Sequence, residues 1–269
     1  MTSAQLDGWL GGYAAAWVDA DPAAAAALFT PDATYRSHPF EPAHTGSEGI
    51  AKYWRDVTAT QENVEVRWGD PVLEGDVAGV EWWTTLCNEA ADVTLAGILL
   101  LHFDGDSHCR ALRECWHVEP ERREPPSGWG VVDQTPLDGA AEYAVRYTEG
   151  YRSAWEAGDV DSVVALFRDE VVYRSTPFRK PHLGLQGVRE YTADAFAEER
   201  VEDVRFAVLA VEGSTAVYEY WTTLEESGSP TTLTGCDVML LGPDGTCREL
   251  RDHWHATEGF NEPFSDWGA

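Results

Sequence analysis

From Leu6 to Ala20 large apolar residues recur at helical spacing, with Tyr13 and Trp17 four apart on one face. Asp21-Pro22 restarts the chain as a second, alanine-rich helix, with Asp21 as N-cap and Pro22 at its first position. That helix should end near Phe29, where Thr30-Pro31-Asp32 turns the chain into a short strand containing Tyr35. A third helix is predicted from about Ser47, carrying Ile50, Tyr53, Trp54 and Val57 on one side. Four β segments follow, near Glu65–Trp68, Val77–Leu86, Val93–Phe103 and Cys109–Val118. Helices first and an antiparallel sheet after them is an α+β pattern.

The pattern is then written again. "TYRSHPF" at Thr34–Phe40 returns as "VYRSTPF" at Val172–Phe178, with Tyr35 matching Tyr173 at an offset of 138 residues. The same offset aligns Trp17 with Trp155, Asp21 with Asp159, His44 with His182, Glu81 with Glu219 and Gly97 with Gly235. Trp83-Thr-Thr-Leu86 meets Trp221-Thr-Thr-Leu224, and Trp116-His117 meets Trp254-His255. A fixed period this long marks duplicated domains, not a solenoid. The expected domains are 1–131 and 139–269, with a short junction between them.

Composition narrows the classes of partner. Apolar residues make up 43% of the 269-residue chain and aromatics 12%, with 12 Trp, so a packed core is available in both halves. A formal net charge of −28 argues against nucleic acid or an anionic membrane as partner. No apolar run is long enough to span a bilayer and no secretory leader is evident, which leads to the expectation of a cytoplasmic protein. Five cysteines, an odd number without scaffold spacing, fit reduced thiols.

The order of elements, with "ALFTPDATYRS", "GSEGIAKYW" and a closing "RALRECWHVE", resembles the SnoaL-like group of the NTF2-like (ketosteroid-isomerase-like) superfamily. The resemblance covers nearly all of both halves. It implies two cone-shaped domains, each a curved sheet wrapped around helices over one apolar pocket. Family members are usually small dimers, so the tandem chain would be a covalent pseudo-dimer, which leaves room for further self-association. The fold hosts isomerases, cyclases, dehydratases, epoxide hydrolases and binders, so it does not by itself name a reaction.

Strand alternation sorts the candidates for chemistry. Arg113 and His117 share one face of the last strand of the first half, and Arg251, His253 and His255 share the corresponding face of the second. Either these form a polar patch inside the cone, or Arg113 and Arg251 pair with Glu81 and Glu219 as buried ions. Asp237 stands where the first half has Leu99, and a carboxylate in an apolar strand is costly unless paired or functional. The hairpin turn at Gly242–Gly245 suggests a register that sets Asp237 opposite Arg251, with His253 and His255 on the same face. Asp237 would then be a general base and Arg251 or a histidine would steady oxyanion charge, or Asp237 and Arg251 would form a plain cross-strand ion pair. The resemblance supports the base, since relatives use an Asp on a sheet strand.

Other residues are equally two-sided. His38, answered by Thr176 in the second half, is either an acid–base group at the pocket mouth or a surface histidine. Tyr35 and Tyr173 either donate a hydrogen bond to a ligand or fill core space, and Trp83 and Trp221 would wall a flat ligand. Cys109 and Cys115 lie roughly 20 Å apart along a strand, too far to share an ion, and no metal site is expected. No phosphate loop or nucleophile elbow appears, so no cofactor is expected. The leading expectation is cofactor-independent acid–base chemistry (cyclisation, isomerisation or elimination) on a small apolar or aromatic metabolite. Epoxide opening, which would need a second Asp, and ligand binding without catalysis are the alternatives.

Overall fold

The computed structural model describes residues 1–268. The chain divides into two compact units, Met1–Val131 and Val132–Ala269. Unit one runs α1 (Ser3–Val18), α2 (Pro22–Ala27), β1 (Phe29–Arg36), β2 (His44–Thr45), α3 (Gly46–Thr58), β3 (Gln61–Trp68), β4 (Val72–Glu74), β5 (Val77–Asn88), β6 (Ala91–Phe103) and β7 (Cys109–Pro120). Unit two repeats the order without β4: α4 (Ala140–Ala157), α5 (Val160–Val164), β8 (Phe167–Arg174), β9 (His182–Leu183), α6 (Gly184–Glu198), β10 (Glu199–Glu212), β11 (Thr215–Glu226), β12 (Ser229–Leu241) and β13 (Cys247–Glu258). Asp21 caps α2 as its sequence demands, its side chain accepting from the amides of Ala23 and Ala24 at 3.0 Å.

Each unit closes one sheet over its helices. The strand orders are β2-β1-β7-β6-β5-β3 and β10-β11-β12-β13-β8-β9. All neighbours are antiparallel except β1 with β7 and β13 with β8, which run parallel and bring the first strand of each unit beside its last. In unit one, Trp9, Tyr13 and Trp17 of α1 meet Phe29, Trp54, Trp82 and Phe103 ring to ring. Burying each such side chain contributes about 2–3 kcal/mol, so this aromatic layer, not helix propensity, fixes α1 to the sheet. Tyr147 and Tyr151 of α4 pack on Phe167 in unit two in the same way.

One backbone detail sets which residues of β7 and β13 stand opposite those of β6 and β12. Next to the β6–β7 turn, Phe103 pairs with Cys109 but His102 pairs with Ala111, so Arg110 is a bulged residue. Unit two repeats the bulge at Arg248, between the Leu241–Cys247 and Leu240–Glu249 pairs. Beyond each bulge the register differs by one from the value that the turn alone predicts. Gly97 and Gly235 thereby sit opposite Trp116 and Trp254. A Cβ on Gly97 would press on the Cys115 carbonyl and lie 2.6 Å from Trp116 Cβ. Gly97→Ala is expected to destabilise unit one by about 2–3 kcal/mol, read as a lower urea midpoint; an unchanged midpoint would show that the strand yields freely there.

Candidate functional site

The helices cover one face of each sheet, and the residues of β7 and β13 that look toward them are Leu112, Glu114 and Trp116, and Leu250, Asp252 and Trp254. Arg113, His117, Arg251, His253 and His255 therefore lie on the opposite face, away from the cavities, which corrects the polar-patch expectation. Arg251 is buried there against Glu249, Nη1 to Oε1 3.0 Å, and Arg113 Nη2 approaches His102 Nε2 at 3.4 Å. Glu81, Glu219, Trp83 and Trp221 share that outer face. The Trp83 and Trp221 indoles donate to the carbonyls of Arg123 and Asn261 at 2.7 and 2.8 Å. Glu219 accepts from the Gly268 amide. None of these lines either of the two cavities that the helices cover. The physical reason is the bulge: one extra residue in a period-two strand turns the whole row over.

Asp237 does face the helices, and its partner is not Arg251. Val238 pairs with Arg251, whereas Asp237 pairs with Asp252. Residues directly opposite in an antiparallel ladder have Cβ atoms about 4.5–5.5 Å apart, so two carboxyls share one spot on the inner face. Asp237 is 2% exposed and Asp252 7%. Burial raises both acids; Asp237 rises to about 7, and Asp252 is raised further by the charge of Asp237. The pair titrates as a unit, holding one proton between two carboxyls near neutrality. The Tyr220 hydroxyl donates to Asp252 Oδ1 at 3.2 Å. The Tyr218 hydroxyl, opposite Asp237 on β11, helps hold its charge, yet Asp237 Oδ1 has no hydrogen bond of good geometry.

The pair sits in a cavity of about 160 Å³ whose walls include Tyr151, Trp155, Tyr173, Phe206, Tyr220 and Trp254. An apolar cavity of about 150 Å³ admits one benzene, so this space has room for about one ring. Unit one has a cavity of about 340 Å³ in the corresponding place, lined by Tyr35, Trp54, Trp82, Glu114 and Trp116 among others. Leu99 stands opposite Glu114 there, so only one carboxyl remains. Burial lifts Glu114 to about 8, and the Tyr35 hydroxyl donates to its Oε1 at 3.1 Å while lying 2.7 Å from the Tyr13 hydroxyl.

Tyr35 and Tyr173 thus both line cavities. His38 lies outside the walls of these two: it is half-buried in the loop after β1, its Nδ1 accepting from the Phe40 amide at 3.3 Å, and burial lowers its affinity for a proton. Glu114 and Asp252 were missed by the sequence reading. Their signal was the inward row Leu112–Glu114–Trp116 and Leu250–Asp252–Trp254, whose apolar neighbours repeat in both units. Among the described residues no three His, Cys, Asp or Glu side chains gather where they could hold a metal ion, and no helix is long and apolar enough to cross a membrane.

Several proteins of known structure are similar to parts of this chain. A Catenulispora acidiphila protein with a ketosteroid isomerase-like fold, solved in complex with trimethylamine, is 26% identical over 39% of this chain and 82% of its own, with a TM-score of 0.37. A candidate isomerase from Bacillus subtilis is 18% identical over 43% of this chain and 88% of its own, TM-score 0.40. The epoxide hydrolase/cyclase-like enzyme SalBIII, which has a role in pyran ring formation in the polyether salinomycin, is 17% identical over 45% of this chain and 96% of its own, TM-score 0.39. The model of the SnoaL-like domain matches twice, at residues 10–110 and 148–250, which together make up most of the sequence. With two α+β units repeating one order of elements and both matched, the chain belongs to the SnoaL-like domain family as two tandem NTF2-like copies.

Proposed function

We propose that the protein is a cofactor-independent enzyme that moves protons on a small, largely apolar or aromatic metabolite, by isomerisation, cyclisation or elimination, in the cavity of unit two. One observation carries this reading: Asp237 and Asp252 are paired on the inner face of an aromatic cavity, where desolvation and mutual repulsion keep one ionised and one protonated. Such a pair is a base and an acid in one place. The ionised carboxyl takes a proton from a carbon beside a carbonyl, and the protonated one gives its proton to the carbonyl oxygen, leaving an enol. One proton then passes from the carboxyl that acted as base to another carbon while the enol hydroxyl returns its own to the other carboxylate, which completes an isomerisation. If instead the bond to a leaving group on the β-carbon breaks and that group takes the base's proton as the enol hydroxyl returns its own, an elimination results. The rings keep water out, which strengthens both transfers.

The second carboxyl also favours epoxide opening, in which one Asp would activate water and the other protonate the ring oxygen. Arg251 takes no part in either reading, since it lies on the other face of the sheet. The test is solvent exchange. In D2O the protein should place deuterium on the α-carbons of a small cyclic ketone faster than the same concentration of acetate does. Exchange no faster than acetate across a panel of such ketones would remove the proton-transfer reading, while diol formation from cyclic epoxides would select the second.

A further inference from the structure

The two cavities differ in their carboxyls as well as in size. Four carboxyls line that of unit two: Glu199, Glu226, Asp237 and Asp252. The matching positions of unit one are Gln61, Asn88, Leu99 and Glu114, so three of the four carboxyls are absent. Among the described residues lining the cavity of unit two there is no Lys, Arg or His. Glu199 and Glu226 are direct cross-strand partners, an arrangement that destabilises a sheet unless a cation joins it. In unit one the equivalent pair is Gln61 with Asn88, and the Trp17 indole donates to Gln61 Oε1 at 2.7 Å. In unit two neither the Trp155 indole nor Glu199 Oε2 finds a partner. Asp237, 2% exposed, likewise has an oxygen, Oδ1, with no hydrogen bond of good geometry.

We propose that the cavity of unit two takes a small organic cation, a protonated or quaternary amine, whose charge rests on the aromatic walls beside the Glu199–Glu226 pair, with Asp237 and Asp252 adding their field from the other end of the cavity. The proposal rests on the reading that this cavity is the working site, and it names the class of molecule that fills it. Rings such as Trp155, Tyr173 and Trp254 present π faces that attract a cation, and an alkylammonium sheds its water more readily than a metal ion does. Carboxylates inside a ring-lined space of low dielectric attract a positive ligand by its charge; a neutral ligand of the same shape offers them at most a hydrogen bond. The larger, nearly uncharged cavity of unit one serves as the internal contrast.

The experiment is titration of the full chain with choline and with its neutral isostere 3,3-dimethylbutan-1-ol, by calorimetry and tryptophan fluorescence. Choline is expected to bind at least tenfold more tightly. Restoring the residues of unit one, in Glu199→Gln, Glu226→Asn and Asp237→Leu together, should reduce that preference to less than twofold. Each single variant, and Asp252→Asn, should lower it in part, so the outcome does not depend on one variant folding. Equal binding of the two probes by the native chain would overturn the cation proposal and leave the acid–base reading to the ketone exchange. A choline preference that survives all the variants would overturn it as well, because the cation would then sit elsewhere. Failure of both probes to bind also overturns it.

Discussion

Replacing Asp237 with Asn is expected to lower the rate of proton exchange 10²- to 10⁴-fold, the range that one positioned acid–base group supplies. Asp252→Asn should cost a similar factor, and the double variant little more than the worse single one, because the two carboxyls act as a unit. Asn keeps the shape and one hydrogen-bonding oxygen, so stability should not fall with activity. The pH profile separates a chemical role from a structural one. At low pH both carboxyls are protonated and no base exists; at high pH both are ionised and no acid remains. The rate should therefore rise as Asp237 loses its proton near 7 and fall again as Asp252 is forced to ionise. The other groups facing the pair do not interfere. Burial raises the phenols of Tyr147 and Tyr151 on α4, Tyr173 on β8, Tyr191 on α6 and Tyr218 on β11, and the Cys247 thiol on β13. Glu199, at the far end of the cavity, also titrates at about 7, so a limb that persists in Glu199→Gln belongs to the pair. Wild-type exchange in both variants would end the role assigned to the pair.

The second large effect is on stability. Glu114 binds its proton more tightly in the folded chain, at about 8, than in the unfolded chain, at its ordinary 4.5. Between those values unfolding releases a proton, so stability is greatest at acid pH, falls as pH rises, and levels off above the folded value. The total from this one group is on the order of 4 kcal/mol, a large share of a domain's stability. Glu114→Gln retains an oxygen to accept from Tyr35 but cannot ionise. Urea midpoints measured from pH 5 to pH 9 should fall for the native chain and fall less for the variant, whose remaining slope comes from Asp237, Asp252 and Glu199, also raised by burial. Parallel curves would show that Glu114 reaches water when it ionises. Repulsion within a chain of net charge −28 acts on both proteins alike and cancels in the comparison.

Much of this protein was legible before any coordinate. The repeat located both units, the Asp21-Pro22 signal located α2, and the 3.6-residue spacing of Tyr13 and Trp17 identified the face that α1 buries. The odd carboxylate, Asp237, stood out against Leu99 because duplication supplies its own control. The face on which the other candidates sit did not stand out. Both rows of β7 and β13 are largely buried, Leu112 and Glu114 on one side and Arg113 on the other, so the usual polar–apolar alternation that tells inside from outside is missing.

The sequence by itself therefore determined the duplication, the order of elements and the presence of one expensive carboxyl in the second half, because these depend on spacing and composition along the chain. Only the tertiary structure decided which residue meets that carboxyl. A single bulged arginine beside each hairpin, Arg110 and Arg248, advances the pairing by one, exchanges Arg251 for Asp252 opposite Asp237, and turns a suspected ion pair into two acids that compete for a proton. No local pattern records that step, since a bulge is stabilised by the twist of the whole sheet and by the parallel strand that closes it.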